Sequence, residues 1–100
     1  MNAIIVDKKD NVATALRQIE NNEAMSLEIA DQAFSIFVSQ PIPVGHKFAL
    51  REISKGGPVI KYGEIIGLAT QKIISGQLVH VHNVEGVKGR GDKSEFCRIS

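Results

Sequence analysis

The chain has 100 residues, is 43% hydrophobic, and carries 12 basic against 11 acidic side chains for a formal charge of +1. A chain of this length holds one modest core and removes about two-thirds of its unfolded surface from water, which leaves little room for a complete substrate cleft with its own supporting shell. The near-zero charge and scarcity of aromatic residues, four Phe and one Tyr, exclude the basic stripe and stacking platform of a nucleic-acid binder.

Ala3 to Val6 form a β-branched run that Asp7, Lys8 and Lys9 end, which predicts a first strand. A short helix is predicted next. Asp10 or Asn11 caps it, and Val12, Ala13, Ala15, Leu16 and Ile19 recur on one helical face. Asn21 and Asn22 break it. From Met25 the period becomes two: Met25, Leu27 and Ile29 share one side, and Phe34, Ile36 and Val38 repeat the pattern after a polar turn, so a hairpin connected by Ala30 to Ala33 is expected. Pro41 and Pro43 bar both a helix and a central strand, and the chain turns there.

The half that follows is rich in glycine turns and short apolar runs and reads as all-β. It contains a repeat: Ala49, Ile53, Gly56 and Val59 recur as Ala69, Ile73, Gly76 and Val79, each displaced by twenty residues. Each copy sets an apolar anchor before a glycine turn and opens the next strand with valine. From Val87 to Lys93, glycine and charge prevail without a period, so residues 87–100 are expected to be a mobile tail after a domain spanning 1–86.

The three histidines all lie in the β half. If Leu78 to Val84 is a strand, His80 and His82 share one face at roughly 6.5 to 7 Å. Three arrangements are then open: a satisfied structural pair, two ligands of a metal ion, or acid/base and substrate contacts in a site shared with a partner. His46 and Lys47 follow the rigid Pro41-Ile42-Pro43 segment, a place where functional side chains are often presented. Lys61 offers a point charge for a carboxylate, while Tyr62 is expected to be a core aromatic with its hydroxyl satisfied. No phosphate-binding glycine loop and no nucleophile elbow is found. Arg90-Gly91-Asp92 spells an integrin-binding tripeptide, but a reducing, non-exported setting gives it no receptor. That setting follows from a single cysteine, Cys97, and from the lack of a leader or a stretch near the roughly 18 apolar residues of a membrane span. The expected location is the cytoplasm.

Four ordered segments, Asp10-Asn11-Val12-Ala13, Gly45-His46-Lys47-Phe48-Ala49-Leu50, Val59-Ile60-Lys61-Tyr62-Gly63-Glu64-Ile65-Ile66-Gly67 and Val79-His80-Val81-His82-Asn83, together resemble the N-terminal domain of altronate and galactarate dehydratases. The resemblance runs from about Asp10 to Asp92. It implies a mainly β fold of the SAF-like β-clip type, here a single small domain with one short N-terminal helix. It also implies a hydro-lyase in which a large catalytic subunit or domain does most of the chemistry on a sugar acid, with a divalent metal, iron foremost, held mainly by that large part. Carried onto this sequence, it assigns His46 and His82 as catalytic acid/base groups, Lys47, Lys61, His80 and Asn83 as substrate contacts, and His80 with His82 as metal ligands shared with the large part. Neither nucleic acid nor membrane is an expected partner, whereas further copies of the chain are compatible with it. Alone, the chain is expected to be inactive. The alternatives are a non-catalytic carbohydrate- or carboxylate-binding or assembly module, and the small subunit of sulfolactate sulfo-lyase.

Overall fold

The computed structural model of the chain describes residues 2–29, 32–87 and 96–98. Its strands are β1 (Ala3–Ile4), β2 (Val12–Ala15), β3 (Ala24–Ile29), β4 (Gln32–Phe37), β5 (Lys47–Ala49), β6 (Pro58–Lys61), β7 (Glu64–Ala69), β8 (Leu78–Val79), β9 (Val84–Val87) and β10 (Phe96–Arg98). They form one sheet in the order β1-β2-β5-β8, a second in the order β10-β9-β7-β6, and the β3-β4 hairpin. Every pairing is antiparallel.

The expected N-terminal helix is absent, and no helix occurs among the described residues. Val12 to Ala15 are instead an inner strand, with Ala15 opposite Ala3 on one side and Val12 opposite Ala49 on the other. A strand buried on both faces carries a continuous apolar run, which by spacing alone cannot be told from a helical face. Leu16 marks the difference: a helix would bury it with Val12 and Ile19, yet it is 46% exposed. Asp10 and Asn11 still act as capping side chains, but toward the β6–β7 hairpin. Asp10 Oδ1 accepts the Gly63 N–H at 2.8 Å and Asn11 Oδ1 accepts the Ile60 N–H at 2.7 Å.

The β3–β4 hairpin forms as the period-two pattern predicts. Met25, Leu27 and Ile36 are buried on its inner face. Its register is tighter than expected, since Gln32 and Ala33 pair with Ile29 and Glu28. Of the 87–100 segment, Val87 closes β9 and Phe96–Arg98 pair with it as β10; the Arg90-Gly91-Asp92 motif lies outside the described residues.

The twenty-residue repeat is a structural symmetry. Ile53 and Ile73 exchange both of their main-chain hydrogen bonds at 2.8 Å, while Gly56 donates to Ala69 and Gly76 to Ala49, also at 2.8 Å. Both glycines have φ near +83 to +84°, where a Cβ is disfavoured. The same bond set recurs in the first half: Ile19 and Ile42 bond reciprocally at 2.9 Å, Asn22 donates to Val38 and Gly45 to Ala15 at 2.8 Å, and Asn22 and Gly45 have φ of 67° and 84°. Four copies of one turn therefore form two interlocked pairs. They supply most of two cores. Val12, Ala49, Ile53, Val59, Ala69, Ile73, Val79 and Val84 make one, and Phe48, Ile19, Ile42, Met25 and Val38 centre the other. Successive residues of β5, Phe48 and Ala49, serve opposite cores, as the alternation of a strand requires. Full burial of each isoleucine contributes about 1.5 to 3 kcal/mol before opposing entropy.

Candidate functional site

Lys47 opens β5 between Thr14 of β2 and Val79 of β8. Its neighbour His46 packs its ring against that of His80, centroids 4.8 Å apart and planes tilted by 53°. His80 follows the end of β8 directly. The strand expected through Leu78 to Val84 stops at Val79, and His80 to Asn83 form a turn closed by the Asn83 N–H to His80 O bond of 3.0 Å. Consequently His80 and His82 do not share a strand face: His80 is half-buried and His82 is exposed.

Lys61 ends β6 at a two-residue hairpin in which Tyr62 and Gly63 both have positive φ, 59° and 74°. Such a turn matches the twist of the flanking strands but favours Asn or Gly at its first position, so a tyrosine there is unusual. Tyr62 is not a core residue. It is 59% exposed, and the Lys61 Nζ lies 4.5 Å from its ring centroid, a cation–π contact.

These elements bring His46, Lys47, Lys61, His80 and His82 near one another: His46 packs on His80, Lys47 lies within electrostatic reach of Lys61 and His80, and His82 within reach of His80. Burial holds the Lys47 ammonium below the usual lysine range, and the Lys61 charge lowers it further, against an opposing pull from Tyr62. Burial likewise lowers His80, reinforced by His46, Lys47 and His82. Among the described residues none of the five is in an ion pair with a carboxylate: the ion pairs there are Arg17–Glu23 and Lys72–Glu52. A half-buried cationic group without a counter-ion favours an anionic ligand, since an oxyanion relieves both its desolvation and the repulsion among its neighbours.

Asn83 stands apart from the other nominated residues. It is 1% exposed, and its amide ties its own turn to the end of β8, accepting the His80 N–H at 2.9 Å and donating to Leu78 O at 2.8 Å. Among the described residues, no set of three or more His, Cys, Asp or Glu is arranged to hold a metal ion, so His80 and His82 receive no further ligands from them. An open cleft of about 580 Å³ between β1 and β3, lined by Asn2, Ile4 and Ser26 among others, contains none of the five basic residues.

The family model for the altronate/galactarate dehydratase SAF domain matches residues 1–87, which takes in every element of this face. The chain belongs to this family. The SAF domain is similar to altronate dehydratase of Bacillus subtilis (strain 168), 40% identical over 82 residues that make up 82% of this chain and 16% of that protein. It is also similar to altronate dehydratase of Escherichia coli (strain K12), at 41% over 83 residues, 83% of this chain and 16% of that one. A third relative is (2R)-sulfolactate sulfo-lyase subunit alpha of Chromohalobacter salexigens, 44% identical over 55 residues, 55% of this chain and 58% of that subunit. The chain thus spans about a sixth of the length of the altronate dehydratases it matches.

Within the SAF domain the basic face falls where the repeat copies differ. Under the twenty-residue displacement Lys47 corresponds to Gly67, Lys61 to Val81, His80 to Ile60 and His82 to Tyr62. Core positions match because both copies fill the same interior; the face positions are free of that constraint. Asn11, expected as a helix cap, instead bonds Ile60 N–H and Pro58 O. The signal was available in the dipeptide Asn11-Val12, which recurs as Asn83-Val84.

Proposed function

We propose that this SAF domain supplies a cationic, proton-transferring wall to the active site of a sugar-acid hydro-lyase of the altronate dehydratase type, completed by a larger catalytic part. The observation that carries the reading is the proximity of His46, Lys47, Lys61, His80 and His82, none of them ion-paired with a carboxylate among the described residues. The two lysines bind the substrate carboxylate. That contact strengthens as charge develops on the enediolate when the proton beside the carboxylate leaves. His46 or His82 acts as the acid/base group, taking that proton or delivering one to the departing hydroxyl so that it leaves as water. The enol that remains tautomerises to a 2-keto acid. The described residues do not fit a metal by themselves, so a divalent ion is assigned to the larger part, and the acts of this chain are binding and proton transfer. The four interlocked turns support a β-clip of the SAF type, and the single Cys97 agrees with a cytoplasmic setting.

A second reading has its own support. The chain covers 58% of a relative that is itself an alpha subunit, so a stand-alone small subunit acting on sulfolactate fits the same face. Mixing the chain with candidate large subunits and assaying loss of water from altronate and galactarate, or of sulfite from sulfolactate, separates the two. Activity that needs both chains and falls with His46→Ala or His82→Ala supports an active-site role; unchanged turnover in both variants rejects it.

A further inference from the structure

Asn83 and Asn11 make the same bonds in the two halves of the fold. The Asn11 N–H donates to Ile60 O at 3.1 Å and the Asn83 N–H to His80 O at 3.0 Å. Their Oδ1 atoms accept the N–H groups of Ile60 and His80 at 2.7 and 2.9 Å, and their Nδ2 groups donate to Pro58 O and Leu78 O at 2.9 and 2.8 Å. Their carbonyls accept from Leu50 and Thr70, each at 2.9 Å. Every partner pair, 58 with 78, 60 with 80 and 50 with 70, is related by the twenty-residue displacement. Both asparagines precede a valine of the core that holds Ile53 and Ile73. The two side chains differ in what they hold: Asn11 fixes Ile60, an apolar residue, whereas Asn83 fixes His80, whose ring packs on His46.

We infer that Asn83 is a positioning residue that holds the His80 turn so that His80 lies against His46, and that Asn11 is its structural twin without that task. The inference rests on the reading of the basic face as a site only for its functional meaning; the geometry stands without it. A side chain that bonds both its own turn and the strand before it is a means by which a short loop without regular pairing is kept in one conformation. Remove it and the turn keeps only its main-chain closure between Asn83 and His80.

The test compares Asn83→Ser with Asn11→Ser in the full chain, using nuclear Overhauser contacts between the ring protons of His46 and His80. In Asn83→Ser the population of the paired rings is expected to drop by about tenfold, the effect of losing two buried hydrogen bonds, while Asn11→Ser retains the contact. Retention in Asn83→Ser, or equal loss in both variants, overturns the inference. If Asn83→Ser does not fold, Asn83→Asp, which keeps the acceptor for His80 and sets an oxygen in place of the donor to Leu78, should fold with a weakened ring contact. Failure of both to fold while Asn11→Ser folds makes Asn83 a core element and also overturns it. None of these readouts depends on turnover, so the inference and the dehydratase reading fail separately.

Discussion

Lys47 and Gly67 occupy equivalent places in the two halves of this fold, Lys47 opposite Thr14 and Gly67 opposite Gly86, and the second place has no room for a side chain. A Cβ built on Gly67 would stand 2.7 Å from both Glu85 O and Val84 Cγ1. At the first place the same strand position carries a half-buried ammonium into the basic face. The symmetry of the core thus leaves one copy closed and the other available for chemistry.

Gly67→Ala is expected to destabilise the domain by about 1 to 3 kcal/mol through overpacking against main chain that cannot give way. Gly56→Ala, with open space around its Cβ but φ at +83°, should cost about 1 kcal/mol. Denaturant midpoints compare the two; a larger loss at Gly56 contradicts the packing argument.

Lys47→Met should raise stability slightly near neutral pH, by up to about 0.5 kcal/mol after allowance for solvent screening, because it removes a half-buried charge beside Lys61. The folded value of Lys47 lies below the unfolded one, so the unfolded chain binds more protons just under the usual lysine range and stability rises with pH there. That rise should flatten in the variant, while binding of small carboxylates weakens. Thermal melts at alkaline pH, with and without a carboxylate, check both effects.

His80 gives a second pH dependence of the same sign. Burial and then His46, Lys47 and His82 lower its folded value, so protonation favours the unfolded chain and stability declines as pH falls from about 7 to 5. In His80→Gln the decline should be shallower. Unfolding free energies across that range decide the matter, and an unchanged slope counts against a strained imidazole.

Ile53→Ala and Ile73→Ala should cost similar amounts, about 2 to 5 kcal/mol each, because both side chains are almost wholly buried in one core and their main chains bond each other. The double variant should depart from additivity, as expected for residues in contact. Equilibrium unfolding of the three variants measures the coupling; widely unequal single losses would contradict the pairing of the two turns.

Part of this architecture is legible in particular residues. The repeat at Ala49 and Ala69 was readable because small, branched and glycine positions are each dictated by the same turn. Its counterpart in the first half was hidden: Asn22 takes the left-handed position that Gly45, Gly56 and Gly76 take elsewhere, and Met25 and Phe48 replace valine. Tyr62 reads as a core residue because a large aromatic ring favours burial, whereas its positive φ puts it on an exposed hairpin tip. The nominated basic residues were identified from their motifs, but their assembly was invisible in one dimension.

By itself the sequence determined that this is a small, mainly β domain with an internal repeat, resembling the dehydratase family, and it named the side chains able to bind an acid or move a proton. Local chemistry sufficed for that, since glycine turns, period-two apolar runs and residue types act over a few positions. Only the tertiary structure decided that Val12 to Ala15 is an inner strand rather than a helix, that His80 meets His46 instead of lining up with His82, and that Asn83 spends its amide on its own turn. Each of these depends on partners distant in sequence or on main-chain groups that any residue type can offer, and the order of side chains does not name those partners.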